Sequence, residues 1–521
     1  MPRISNCAEL AGLGIAADAI GLPSTGATLR SAEVMAADAE GNSNGEYCKV
    51  LGAIHPVDYT APDINFEVNL PTNWNHKALQ FGGGGLNGTL ITGLGRYAKQ
   101  PEAEATPLAR GYLTLGSDSG HQSSGGFDGR FYLNEEALEN FGRMQIKKTH
   151  DVALWLSQAF YGELPQYSYF IGGSQGGHEG FDAVQRYPDD YDGVVAGYPA
   201  HNVIMLHLSA LNYARALHAN DGKSWLSPEK VRFFTAQVYG RCDSLDGAGD
   251  GIISNVAACQ SATAPFKLSA PENPLRCDGG SDTGNDCLSD AQIQALDALD
   301  QPYDAGFSLF SDDEGNSVFP KWTPFEGSTF FDGGFPNLGG KGPGEALQYA
   351  PGVATNGLAV ARDLTLDVLR DFDPRAHAGR LIHLASVMSA NSVAIDRFRD
   401  KGGKLIFFHG MVDDFISPYS SIQYYQRLLG RYGQGGVDEF VRFYTIPGMG
   451  HVTGVFNGRI ASLDALEAWV ERGEAPGDLL ASDANRDSAG RTRPVCRYPG
   501  WPRYRGEGEL GQAASFECVM P

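Results

Sequence analysis

At 521 residues the chain is longer than a single hydrophobic core usually serves, so a core domain carrying a large insertion or a second domain is expected. Its 62 Asp and Glu against 40 Lys and Arg give a formal net charge of -22. That balance argues against nucleic acid as a partner, because such binding needs clustered cations to neutralise phosphates. Hydrophobic residues make up 42% of the chain, enough for a packed globular core, yet no run approaches the ~20 apolar residues of a membrane-crossing helix, and no membrane partner is expected.

Short apolar runs bounded by turn residues alternate with longer amphipathic stretches in two separated blocks, the signature of a parallel sheet flanked by helices and hence of an α/β fold. In the first block, which reaches about Ala200, residues 78–81, 112–115, 167–171 and 194–196 read as buried strands, and 141–160 and 177–187 as helices. The second block has strand-like segments at 405–408 and 441–446, with helices near 420–429 and 460–470. The two blocks read as halves of one sheet. Between them, over residues 202–391, Gly, Pro, Asp and Asn become frequent and few alternating patterns remain. This stretch is expected to be an inserted domain, with residues 1–201 and 392–521 forming the main domain; the Gly-rich stretch 333–344 reads as loop.

The strand at 167–171 runs into Gly172-Gly173-Ser174-Gln175-Gly176, followed by a helix. A G-x-S-x-G pentapeptide between strand and helix is the layout of a nucleophile elbow, in which the serine sits on a sharp, strained turn and glycines let neighbouring backbone pass. Ser174 would then stand at the carboxyl edge of the sheet, and the Gln175 N–H, at a helix N-terminus, would face a developing oxyanion. A second donor is expected from Gly82-Gly83-Gly84-Gly85 after the 78–81 strand, with Gly83 and Gly84 as the candidates. A phosphate-binding loop is the competing reading, but no Gly-Lys-Ser/Thr follows.

A serine hydroxyl needs a base to take its proton, and the base needs an orienting carboxylate. The 405–408 strand ends in His409-Gly410-Met411-Val412-Asp413-Asp414, and the 441–446 strand in Pro447-Gly448-Met449-Gly450-His451, both at carboxyl ends of strands. Asp413 is preferred over Asp414 because it closes an H-G-x-x-D pattern, and His451 is the expected base. His121 is the main rival, but it precedes the serine and reads equally as a loop-fixing residue.

The eight cysteines fall into local pairs: Cys7 with Cys48, Cys242 with Cys259, Cys277 with Cys287, and Cys496 with Cys518. Four disulfides are expected, and the absence of Cys-x-x-Cys spacing argues against a zinc ribbon. Disulfides imply an oxidising compartment, so a secreted or periplasmic location is expected, with a signal peptide already removed from the chain as given.

These motifs together resemble the tannase and feruloyl esterase family. The resemblance runs from the four glycines at 82–85 through Ser117-Asp118-Ser119-Gly120-His121, the elbow, residues 185–197 and Gly402-Gly403-Lys404-Leu405 to residues 447–451. It implies an α/β-hydrolase core with a large lid at 202–391. It also implies Ser174, Asp413 and His451 as a triad acting on esters of aromatic acids such as ferulate, chlorogenate or gallate. Terephthalate monoesters or other aryl esters are the alternative substrates, and a catalytically silent binding protein on the same fold is the alternative of a different class. In one respect the chain departs from the family, whose members typically carry a disulfide between the residue before the serine and the residue after the histidine. Gly173 and Val452 stand there instead, so the triad is expected to be held by packing and hydrogen bonds.

The segment Cys242-Asp243-Ser244-Leu245-Asp246-Gly247-Ala248-Gly249-Asp250-Gly251-Ile252 gathers three carboxylates in a Gly-rich turn, a composition that suits Ca²⁺. Read from Asp246 it imitates an EF-hand loop, but Ala257 occupies the place of the bidentate glutamate. The family resemblance implies a structural lid calcium held by the side chains of Asp243, Asp246 and Asp250 and the backbone oxygens of Ala248 and Ile252.

Overall fold

Ten strands hydrogen-bond into one sheet: β1 (Gly14–Ile15), β2 (Ala27–Met35), β3 (Tyr47–Ile54), β4 (Ile64–Pro71), β5 (Lys77–Phe81), β6 (Leu113–Ser117), β7 (Tyr167–Gly173), β8 (Gly193–Gly197), β9 (Lys404–Gly410) and β10 (Val441–Ile446). Their spatial order is β1-β2-β3-β4-β6-β5-β7-β8-β9-β10. From β6 to β10 every neighbouring pair is parallel, while β1 to β4 form an antiparallel extension that joins β6 antiparallel. The computed structural model describes residues 4, 6–123, 128–310, 317–328, 352, 355–451 and 453–521.

The central strands are apolar because both of their faces are covered. Alternate residues split between two cores. Phe170, Val194, Ala196 and Phe407 pack on one face with Phe181, Tyr424 and Leu428. Ile171, Val195, Ile406 and Phe408 pack on the other with Leu463, Leu466 and Trp469. Helices Gln175–Arg186 and Pro418–Asp438 supply the first covering layer and helix Ser462–Arg472 the second.

Both halves of the parallel sheet lie where the hydrophobic runs put them, and β10 has the expected bounds. Two features differ. The helix expected over 141–160 is split into a π-helical turn at Asn140–Met144 and an α-helix at Gln145–Phe160. Residues 202–391 are richer in helix than their composition suggests, with Val203–His218, Pro228–Cys242, Asp290–Leu299 and Ala378–Met388 sharing a core around Leu206, Phe234, Leu296 and Leu384. Where the chain returns from this segment, Ala390 N–H donates to His201 O at 2.7 Å, so its two ends are stitched side by side. The Gly-rich stretch 333–344 lies outside the described residues.

All eight cysteines are disulfide-bonded in the local pairs read from the sequence. Cys7–Cys48 closes the longest loop, a sequence separation of 41, and pins the N-terminal turn to β3. By loop-closure entropy a crosslink of that span contributes about 4 kcal/mol. Four disulfides fit an oxidising compartment. Among the described residues no helix is long and apolar enough to cross a membrane.

Candidate active site

Where β7 meets the helix Gln175–Arg186, Ser174 adopts φ 61° and ψ -119°, a conformation costly for a residue with a Cβ. Its surroundings hold it there: Ser174 N–H donates to Gly197 O at 3.0 Å, and Ser174 O accepts from His178 N–H at 3.0 Å and Ala200 N–H at 3.2 Å. Glycine is required at the crossing beneath. A Cβ on Gly176 would lie 2.7 Å from Gly83 O, and one on Gly82 would lie 2.6 Å from the Gly176 Cα. That close approach lets Gly176 N–H donate to Gly83 O at 3.0 Å, fastening the loop after β5 onto the elbow.

The elbow at the end of β7 is met by the loops that follow β9 and β10. His451 Nε2 lies 2.9 Å from Ser174 Oγ, and His451 Nδ1 lies 2.9 Å from Asp413 Oδ2. Asp413 is fully buried, and its other oxygen accepts from the Phe415 and Ile416 N–H groups at 2.9 and 2.8 Å. Burial alone would raise this carboxyl, but the neighbouring His451 and a hydrogen bond from His409 outweigh it and hold the group well below the usual carboxylate range. His409 Nε2 stands 3.3 Å from Asp413 Oδ2 and 3.0 Å from Ile416 O, and both acceptors call for a proton on that nitrogen. Asp414 behaves oppositely: burial and the adjacent Asp413 charge push it up to about 7. His121 stacks on Phe131 with centroids 3.7 Å apart and lines a different cavity.

Gly173 and His451 share a neighbour in Tyr198. A Cβ on Gly173 would lie 2.6 Å from the Tyr198 hydroxyl, and the Tyr198 ring meets the His451 ring edge-on at 4.9 Å. Tyr198 thus packs between the two loops, with Phe415 5.0 Å from His451 as a further support. Val452 lies outside the described residues.

The expected oxyanion donors differ from one another. Gly83 N–H already donates to Glu179 Oε2 at 2.9 Å, because Glu179 rises from the helix behind the elbow and also accepts from Asn87 Nδ2 at 2.6 Å. An N–H committed to a buried carboxylate is not available to substrate, which corrects the expectation for Gly83. Gly84 has open space beside its Cα and lines the cavity in front of Ser174, and Gln175 opens the helix. Burial raises the Glu179 carboxyl to about 7, against the hydrogen bonds that favour its charged form. Nothing in the sequence marks Glu179 or Tyr198, since both matter through approaches between distant segments.

The cavity has a volume of about 520 Å³ and is bounded by the glycine loop, Arg96 to Lys99, Tyr198, Phe415, Ser174 and His451. In the acidic turn, Asp243 Oδ1 accepts from Gly251 N–H at 2.8 Å, Asp246 Oδ1 accepts from Ala248 N–H at 3.0 Å, and Asp250 pairs with the guanidinium of Arg493. The donors are hard oxygens, as Ca²⁺ requires, but among the described residues no three carboxylate, His or Cys groups converge as a metal cluster.

Residues 48–519 match the family described as tannase and feruloyl esterase. The chain is 37% identical to an uncharacterized esterase of Agrobacterium fabrum, over 98% of this chain and 93% of that one. It is 31% identical to the mono(2-hydroxyethyl) terephthalate hydrolase of Piscinibacter sakaiensis, over 91% and 85%. Among solved structures, feruloyl esterase B from Aspergillus oryzae superposes with a TM-score of 0.76 at 25% identity, covering 96% of this chain and 98% of that one. The extent of these matches, over a sheet with a serine elbow at its carboxyl edge, places the chain in the tannase and feruloyl esterase family, as a carboxylic ester hydrolase with the α/β-hydrolase fold.

Proposed function

We propose that the protein hydrolyses esters of aromatic acids through an acyl-enzyme on Ser174. The observation that carries this reading is the unbroken relay from Ser174 Oγ through His451 to Asp413, opening onto a cavity with Tyr198 and Phe415 in its wall. Ser174 Oγ attacks the ester carbonyl as His451 Nε2 takes its proton, and Asp413 stabilises the imidazolium. The Gly84 and Gln175 N–H groups hold the oxyanion. The carbon–oxygen bond to the alcohol then breaks, and the alcohol leaves with the proton from His451. Water, deprotonated by the same histidine, releases the acid and restores the serine. Residues 202–391 act as a lid that supplies the acyl-side wall, with residues 1–201 and 392–521 as the catalytic domain.

Ferulate, chlorogenate and gallate esters are the proposed substrates, and terephthalate monoesters are the second reading, favoured by the likeness to the Piscinibacter enzyme. A panel of these esters, with an acetate ester of the same alcohol as control, tests the proposal. The kcat/KM for at least one aromatic acyl group should exceed that for acetyl by roughly 100-fold, as burial of a ring in an apolar site allows. Equal or faster turnover of the acetate ester would contradict it.

A structural Ca²⁺ in the acidic turn and a secreted or periplasmic location complete the proposal. The ion would be held by Asp243, Asp246 and Asp250 with the Ala248 and Ile252 carbonyls, drawing together carboxylates that now rest on backbone N–H groups and Arg493. Exhaustive chelation should then lower Tm by about 5 °C, restored by Ca²⁺ and not by Mg²⁺. An unchanged Tm would remove calcium from the account.

A further inference from the structure

Of the H-G-x-x-D motif at the end of β9 the proposed reaction uses only Asp413, but Gly410 and His409 also bear on the catalytic loops. A Cβ on Gly410 would collide with Met449 O. Without one, the strand end runs against the segment that leads to His451, where Met411 N–H donates to Ile446 O at 2.9 Å and Val412 N–H to Met449 O at 3.1 Å. His409 is fully buried, so both ring nitrogens have to be satisfied by protein. Its Nε2 lies 3.0 Å from Ile416 O and 3.3 Å from Asp413 Oδ2, and its Nδ1 lies 2.8 Å from Ser421 Oγ. A carbonyl and a carboxylate only accept, so the proton sits on Nε2, shared between them. In that tautomer Nδ1 accepts from the hydroxyl of Ser421, itself fully buried in the first turn of helix Pro418–Asp438.

Asp413 thereby gains a fourth donor. Its Oδ1 accepts from the Phe415 and Ile416 N–H groups, and its Oδ2 accepts from His451 Nδ1–H at 2.9 Å and from the shared His409 proton. Ile416 is engaged twice, through its N–H by Asp413 and through its O by His409, so the imidazole closes the turn 413–416 against β9. Phe415, in the same turn, has its ring 5.0 Å from that of His451. The terminal torsion of an aspartate is broad and soft, and a carboxylate with donors on both oxygens is held against turning about it. Its orientation matters because the imidazolium formed during the reaction is stabilised by a carboxylate that faces Nδ1.

We propose that His409 is a positioning residue of the triad: kept in its Nε2–H form by Ser421, it fixes the Asp413 carboxylate in the orientation that His451 requires. The relay then runs over five side chains, Ser421, His409, Asp413, His451 and Ser174. This rests on the acyl-enzyme reading for the roles of the last three. His409→Leu, which removes both nitrogens, should lower kcat on an aromatic ester by roughly 10- to 100-fold and leave KM within about threefold, since no group that touches substrate is lost. His409→Gln, whose amide nitrogen can replace the Nε2 donor, should recover most of kcat. Ser421→Ala keeps the imidazole but removes the hydroxyl that selects its tautomer, and should cost about 3- to 10-fold in kcat.

Two NMR signatures read the same contacts without turnover. In protein labelled at the histidine ring nitrogens, His409 should carry its proton on Nε2 in wild type and become a mixture of tautomers in Ser421→Ala. The His451 Nδ1 proton should give a sharp downfield line in wild type and His409→Gln, and an exchange-broadened one in His409→Leu. Should His409→Leu fail to fold by circular dichroism, Ser421→Ala carries both comparisons. A wild-type His409 protonated on Nδ1 alone would overturn the proposal whatever the kinetics. So would a folded His409→Leu that keeps kcat within about twofold, or one whose loss falls on KM. If wild type turns over no ester, the acyl-enzyme reading fails, while the tautomer and the His451 line still decide whether His409 positions Asp413.

Discussion

Replacing His451 with alanine is expected to lower kcat by roughly ten-thousand-fold or more, since the serine loses both its general base and the acid that protonates the leaving alcohol. Asp413→Asn should cost a similar factor by a different route. An amide in place of the carboxylate that His451 Nδ1 faces at 2.9 Å neither orients the imidazole correctly nor stabilises its cation. His121→Ala, in a separate cavity against Phe131, should stay within about tenfold of wild type, because it removes packing and no participant in the chemistry. Steady-state kinetics on one aromatic ester, with circular dichroism to confirm folding, check all three. A dead His121→Ala beside an active His451→Ala would reverse the assignment.

Glu179→Ala is expected to lower kcat by about 100-fold, comparable to losing one oxyanion-hole donor, although Glu179 is placed to touch no substrate. Its carboxylate anchors Gly83 N–H and the Asn87 side chain, and without that anchor the loop carrying Gly84 loses its position in front of Ser174. A second signature is thermodynamic. The carboxyl titrates near 7 in the fold against an ordinary value of 4.5, so the folded protein holds this proton more tightly. Its contribution therefore favours the fold below about pH 4.5 and is lost as pH rises through 7. Glu179→Gln, which cannot ionise, should gain stability relative to wild type between pH 5 and pH 8, on the order of 1–3 kcal/mol. Denaturant unfolding at the two pH values measures it; a pH-independent difference would show that Glu179 titrates normally.

That Ser174, Asp413 and His451 meet at one edge of the sheet is legible in the sequence for a topological reason. Ser174, Asp413 and His451 follow β7, β9 and β10, and each of those strands is a short apolar run ending in glycine-punctuated polar residues. A parallel sheet with short βα loops delivers those ends to one edge, so the order of motifs along the chain is also a map of the site. The disulfides are legible for a similar reason, since each joins cysteines close in sequence. The antiparallel extension is harder to read because β2 places Arg30 and Glu33 at its exposed positions, which breaks the apolar run that marks the central strands. Helix Val203–His218 is also obscured: it is buried nearly all round, so it carries no polar stripe from which a helical period can be read.

Glu179 and Tyr198 leave no local signature at all. Glu179 acts on Gly83, 96 residues away. Tyr198 illustrates the difference between reading an absence and seeing what fills it. From the sequence, Gly173 and Val452 say only that a covalent tie is lacking. In the structure, the missing side chain at Gly173 is what lets the Tyr198 hydroxyl approach, and the same ring braces His451.

The central claim is that Ser174 is the nucleophile of a working relay, and a fluorophosphonate probe tests it most directly. Incubated with the folded protein and followed by peptide mass spectrometry, the probe should attach to Ser174 alone, with labelling slowed at least ~1000-fold in His451→Ala, where no base activates the hydroxyl. Failure to label Ser174 in folded wild-type protein, or labelling that is indifferent to His451, would contradict the account and favour a binding protein built on this fold.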